Sequence, residues 1–176
     1  MNQTHSTLTD QVTINYQRML DLLAPLSDAQ FFAPKNGKWS AAETLQHLHL
    51  AARNLPRMLI GPRAFFDQWP RSERTSRPHD AIAADYNRVL LTNAFSAPAS
   101  LVACPDDIRV RKTDLLLRFT STHQTLVESV AGWLVGELDT YQIPHPALGL
   151  ITVGEMISFT ACHVKHHLRI IRAQLP

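Results

Sequence analysis

Two stretches of this chain open on the same local device. Ser40 is followed three residues later by Glu43, and Thr152 by Glu155. Each pair heads a run with apolar residues at helical spacing. A Ser or Thr side chain there accepts a hydrogen bond from the backbone N–H three residues on. The Glu reaches back to the first residue's own N–H, so two donors that a helix start leaves unpaired are satisfied. The run after Ser40 carries Leu45, Leu48, Ala52, Leu55 and Leu59, and the run after Thr152 carries Ile157, Ala161, Val164, Leu168, Ile171 and Leu175. Stripes of this period demand a partner to bury them.

Two further segments show the same period. Residues 7–26 hold Ile14, Met19, Leu22 and Leu23, and residues 111–138 hold Leu115, Leu116, Phe119, Leu126, Val130, Trp133 and Leu134 facing inward. There are only six glycines and no apolar/polar alternation of strand length. The chain is therefore expected to be all-α, a four-helix bundle with one long crossover connection between helices two and three. Pro56 should kink the second helix or end its regular part, and Gly61-Pro62 should end it altogether. Trp39, just before the Ser40 cap, is expected to pack on Thr44. Residues 61–110 read as the crossover, broken by prolines and crossing the bundle, with a short helix over "DAIAADYNRVLLTNAFS". The arginines at 63, 71, 74 and 77 read as a solvated loop, and "DTYQIPHPALGLI" as a loop before the last helix.

At 176 residues, with 45% hydrophobic and 18% charged residues, the chain fits one folded domain, residues 1–176. A net charge of +2 and no basic stripe with interleaved aromatics argue against a nucleic-acid partner. No apolar run is long enough to cross a membrane, and the N-terminus has no signal-peptide core. Cys104 and Cys162 are too few for a disulfide scaffold, which suggests a reducing, cytoplasmic setting. There is no GxSxG, P-loop or GxGxxG motif, and the Glu-x-x-His pairs of di-iron bundles are missing.

The informative residues are the nine histidines. His163 and His167 are four apart, so they stack on one helix face, about 40° from each other, beside the apolar stripe. Such a pair can converge on one metal ion. The competing reading is a basic helix end, since Lys165, Arg169 and Arg172 suit a helix C-terminus. His166 is turned about 100° away and reads as a surface residue. On the second helix His47 and His49 face nearly opposite ways, and His47, beside Leu48 of the stripe, is the one that points inward. Glu43 could orient His47, unless its cap occupies it, and Glu128 and Glu155 are weaker candidates for that role. His145, in a "HPALG" turn, is a candidate substrate contact. His123 reads as a satisfied partner inside helix three, and Cys162 as a small buried hydrophobe.

"KWSAAETLQHLHLA" and "HPALGLITVGEMISFTACHVKHHLRII" resemble the DinB-like superfamily of metalloproteins. Its pattern W-s-x-x-E-x-x-x-H-L is met by Trp39, Ser40, Glu43, His47 and Leu48. Its final H-x-x-x-H-L is met by His163, His167 and Leu168. Residues 61–110 match no motif of that family. The resemblance implies that His47, His163 and His167 hold one divalent metal ion, zinc or nickel, with iron also accommodated by such ligands. It implies a hydrolase, or a transferase that activates a low-molecular-weight thiol, acting on a small-molecule substrate. Three protein ligands leave an open coordination position, as a catalytic ion requires. The alternative is a non-catalytic, stress-related metal-binding module that uses its metal for stability and an exposed helix face to form a homodimer. An open pocket of ~300 Å³ or more beside the metal favours the enzyme; a filled mouth or a fourth protein ligand favours the module.

Overall fold

The computed structural model describes residues 5–35, 37–92 and 96–175. It is mostly helical, with one small antiparallel ribbon. Helix α1 spans His5–Leu23, and a short α2 covers Asp28–Phe32. The second helical region is α3 (Ala41–Ala52) and α4 (Asn54–Ile60). Then come α5 (His79–Leu91), α6 (Lys112–Val130), α7 (Val135–Thr140), the strands β1 (Gln142–His145) and β2 (Gly149–Thr152), and α8 (Val153–Arg172). The long helices α1, α3, α6 and α8 pack around one another, and α4 continues α3 along α6. No helix among the described residues is long and apolar enough to cross a membrane.

Both expected capping boxes are present. Ser40 Oγ accepts from the N–H of Glu43 at 3.2 Å, and Thr152 Oγ1 from that of Glu155 at 3.1 Å. A third box, Ser27 with Gln30, starts α2 inside a stretch read only as a break. The α8 stripe divides between two core clusters. Val153, Ile157 and Ala161 pack with Leu126, Trp133 and Phe66, while Val164, Leu168 and Ile171 pack with Met19, Leu45 and Phe119. His163 lies between Ala161 and Val164, at the seam of the two clusters.

Several expectations need correction. The buried face of α1 is Leu8, Val12, Asn15, Met19 and Leu23, and Ile14 is exposed. The spacing of three and four residues thus runs through Asn15, whose polarity hides it, but whose Nδ2 donates to the Ala161 carbonyl at 3.1 Å. As expected for Pro56, the second helical region is interrupted, here at Arg53, because a proline lacks an N–H and its ring crowds the carbonyl four residues back. Helix α6 stops at Val130. There Trp133 swings into the core, its Nε1–H donates to the Leu59 carbonyl at 2.9 Å, and the Arg63 guanidinium stacks on its ring at 3.6 Å. Leu134, expected inward, is left 72% exposed beside the start of α7. The loop over 139–151 contains a hairpin pairing Ile143 with Ile151. Gly149, at φ +73°, closes its turn in the left-handed region that a side chain resists.

The connection between α4 and α6 is more ordered than a solvated loop. The short helix expected after Arg77 is α5; its reading ran through 93–95, which lie outside the described residues. Helix α5 packs Ile82 and Tyr86 against Phe159 and Cys162 of α8. The arginines ahead of it are not solvent decoration. Glu155 is fully buried, and its carboxylate accepts from the guanidinium groups of Arg74 and Arg77 and from the N–H groups of Arg77 and Thr152. Burial alone would raise the Glu155 pKa, but these hydrogen bonds hold it down at about 2. Arg71 lies over the Tyr141 ring at 3.6 Å. Ser76 approaches α8 closely because residue 154 is glycine: a Cβ there would lie 2.8 Å from Ser76 Oγ.

Replacing Arg74 and Arg77 together by Ala leaves Glu155 charged and buried without its guanidinium partners. Urea melts are expected to lose about 3 kcal/mol or more. A loss below about 1 kcal/mol would mean that the network contributes no more than a surface ion pair.

Candidate metal centre

Helix α3 leaves its Ser40 cap with His47 two turns in, on the face toward α8. His47 is buried. Its Nδ1 lies 2.6 Å from the carbonyl oxygen of Leu101, in the connection between α5 and α6. A carbonyl can only accept, so Nδ1 carries the proton and Nε2 presents its lone pair. On α8, His163 and His167 are both buried, one turn apart. His163 Nε2 sits 3.0 Å from His47 Nε2 and 3.1 Å from His167 Nε2. All three ligand atoms lie within 4.8 Å of one another. The structure therefore brings together the three histidines expected from the sequence.

Electrostatics suits the cluster to a cation. Burial, then the neighbouring histidines, push His163 and His167 well below the usual imidazole range. Burial lowers His47 too, against the opposing pull of the Leu101 carbonyl. Neutral imidazoles are the form that binds metals. One proton can bridge His163 Nε2 to only one of its two neighbours, so protons alone leave lone pairs facing each other in a buried space. A divalent metal ion held there would accept all three lone pairs at once. The cluster can hold a metal ion, and no fourth His, Cys, Asp or Glu joins it among the described residues.

Aromatic rings wall the cluster. Trp39, just ahead of the Ser40 cap, is one of them. Its ring is parallel to His167 within 5° and lies 5.1 Å from the His47 ring, between centroids. Phe159 stacks on His163, and Tyr86 meets that ring edge-on. Beside the cluster opens a cavity of about 500 Å³ between α3, α8, the hairpin and the α5–α6 connection.

The other candidates sort by their partners. His49 points away, with its Nδ1 2.7 Å from Thr122 Oγ1. Glu43 is held in the α3 cap, its Oε2 2.7 Å from the Ser40 nitrogen. Glu128 is exposed beside Gln124, and Glu155 belongs to its arginines. None of these carboxylates orients His47; the Leu101 carbonyl does. His166 is half-buried against Tyr86 and lines the cavity, so it is not the simple surface residue expected. His123 donates from Nδ1 to the Phe119 carbonyl at 2.9 Å, but its buried Nε2 has no partner, so it is only half satisfied. Cys162 packs between α5 and α8 as expected, 3.7 Å from His79 Nε2, with burial pushing its thiol up to about 11.

Compared with known families, residues 11–171 match the one described as the DinB superfamily. The chain belongs to the DinB superfamily. The matched span takes in α3 and α6, most of α1 and α8, and all three clustered histidines. Among solved structures, the DinB-superfamily chain is similar to one titled "Crystal structure of TT2238, a four-helix bundle protein". The TM-score is 0.61 at 17% identity, covering 97% of this chain and 99% of that one. At that identity the likeness speaks for the fold alone. Comparison with curated proteins finds no match.

The buried histidines set a pH dependence. Their folded pKa values lie below the unfolded value near 6.5, so the unfolded chain takes up protons first as pH falls. Their stabilisation is present above pH 6.5 and drains away below it. The contribution of Glu155 follows only below its unfolded value near 4.5, down to about 2. Melting of chelator-treated protein is expected to drop between about pH 7 and pH 5. An unchanged Tm across that interval would contradict the buried, neutral assignment.

Proposed function

We propose that this chain is a metal-dependent enzyme in which His47, His163 and His167 ligate one divalent ion, zinc or nickel, with iron also compatible, beside a small-molecule pocket. One observation carries the reading: three neutral imidazole nitrogens converge, with no fourth protein ligand among the described residues, at the edge of a 500 Å³ cavity. A structural zinc site closes its coordination with protein ligands, whereas a catalytic one leaves a position for water or substrate. The cavity exceeds the ~300 Å³ that a small-molecule site needs. Membership in the DinB superfamily supports the same reading.

The chain's own contribution is positioning. The Leu101 carbonyl sets the His47 tautomer and aims its Nε2. The α8 helix holds His163 and His167 one turn apart, and Trp39 and Phe159 keep water from their flanks. A divalent ion held there makes a water or thiol a better nucleophile near neutral pH and polarises a carbonyl. Hydrolysis and thiol transfer ask the same of these residues. A thermal-shift screen of the metal-loaded protein against thiols, amides and esters separates them.

The triple substitution of His47, His163 and His167 to Ala is expected to abolish bound metal by elemental analysis while leaving helical circular dichroism intact at room temperature. Retained stoichiometric metal would sink the triad. Loss of helicity would favour the structural module, since unfolding without the ion marks a structural metal.

A further inference from the structure

The cavity beside the three histidines has a chemical character of its own. Among the described residues, none that lines it is Lys, Arg, Asp or Glu. Leu48, Leu55, Met58, Trp69, Leu90 and Met156 supply much of its wall. A ligand carrying a charge away from the histidines would shed water there with no counter-charge to meet it, a loss that apolar contact does not recover. The volume, about 500 Å³, suits a small organic molecule.

The polar groups on this wall are neutral, and one is pre-aimed. His145, at the end of β1, lines the cavity, and its ring packs on Phe159 at 4.0 Å between centroids. Its Nδ1 accepts from the N–H groups of Ala147 and Leu148 in the hairpin turn, at 3.2 and 3.1 Å. Both turn groups are donors, so Nδ1 carries no proton and Nε2 must carry it. Across the ring, Nε2–H has no protein partner among the described residues. Burial lowers the His145 pKa to about 4, which keeps the ring in this single-donor form near neutral pH. By contrast, the Thr160 hydroxyl is committed to the Met156 carbonyl at 3.0 Å.

We propose that the cavity binds an uncharged, mainly apolar small molecule bearing one carbonyl-type acceptor, and that His145 Nε2–H donates to that acceptor. This rests on the reading of the triad as the reacting end of the cavity. The donor is fixed by the turn, so it selects an acceptor without needing a rotamer change.

Three probes share one skeleton: 3-phenylpropanamide, 3-phenylpropanoate and propylbenzene. Ligand-detected NMR follows their binding to metal-loaded and chelator-stripped protein, with metal content measured on the same samples. The stripped protein decides, because a bound cation would itself attract the carboxylate. There the amide is expected to bind, and the carboxylate about tenfold more weakly or worse. His145→Asn keeps an acceptor where Nδ1 meets the turn but removes the Nε2–H donor. It is expected to weaken the amide about tenfold and leave propylbenzene unchanged. In the unaltered protein, imidazole ¹⁵N spectra should show His145 as the Nε2–H tautomer, with that proton shifting on addition of amide but not of propylbenzene. Carboxylate binding equal to amide in the stripped protein, no amide binding, amide binding unmoved by His145→Asn, or equal loss of amide and propylbenzene would each overturn the proposal. Amide binding with no metal in the loaded sample would count against the metal reading alone.

Discussion

The rest of the structure depends on the burial of α8 over most of its circumference. It packs against α1, α3, α5, α7 and the hairpin, and its buried residues include Glu155, Ser158, Thr160, His163 and His167. A helix enclosed on so many sides cannot send its polar side chains to water, so they are satisfied within the protein or, like the Ser158 hydroxyl, go without a partner. Glu155 is met by Arg74 and Arg77, and Thr160 turns back to its own helix. His163 and His167 have only each other and His47 at their Nε2 atoms. That shared deficit, in a site too buried for the charged imidazole form, is what makes the cluster a place for a cation.

The connection between α4 and α6 is part of the same arrangement. Its Arg74 and Arg77 reach the N-terminal end of α8, Tyr86 covers the flank of His163, and the Leu101 carbonyl sets the tautomer of His47. These contacts tie the segment to α8 at two heights and to α3 at His47. A site whose ligands sit on helices and whose orienting group comes from a packed connection keeps its geometry more strictly than one built on free loops.

The cavity adds a division of labour. Charge is concentrated in the Glu155 network at one end of α8 and kept out of the cavity wall. The hairpin contributes His145, whose turn hydrogen bonds consume one ring nitrogen and leave the other as a directed donor. The same four-residue reach between Pro146 and Gly149 that closes the ribbon thus defines the polarity of the cavity.

Much of this was legible beforehand. Capping boxes and a 3.6-residue apolar period are local properties, so Ser40–Glu43 and Thr152–Glu155 marked two helix starts, and the stripe of α8 could be read directly. The i,i+4 pair His163–His167 and the inward side of His47 follow from helix geometry alone. Elsewhere the sequence misled for physical reasons. Asn15 interrupts the α1 stripe because its polarity is satisfied by a carbonyl 146 residues away. The end of α6 is decided by the pull of Trp133 into the core, and the hairpin by a turn whose acceptor is a histidine ring. The solvated look of Arg74 and Arg77 dissolved because Glu155, far along the chain, had no water of its own. The chain by itself determined the helices, their inner faces and the three histidines. Only the tertiary structure decided what orients and surrounds them, because a backbone carbonyl such as that of Leu101 leaves no mark in a sequence, and a partner brought by folding is not a neighbour until the chain has closed.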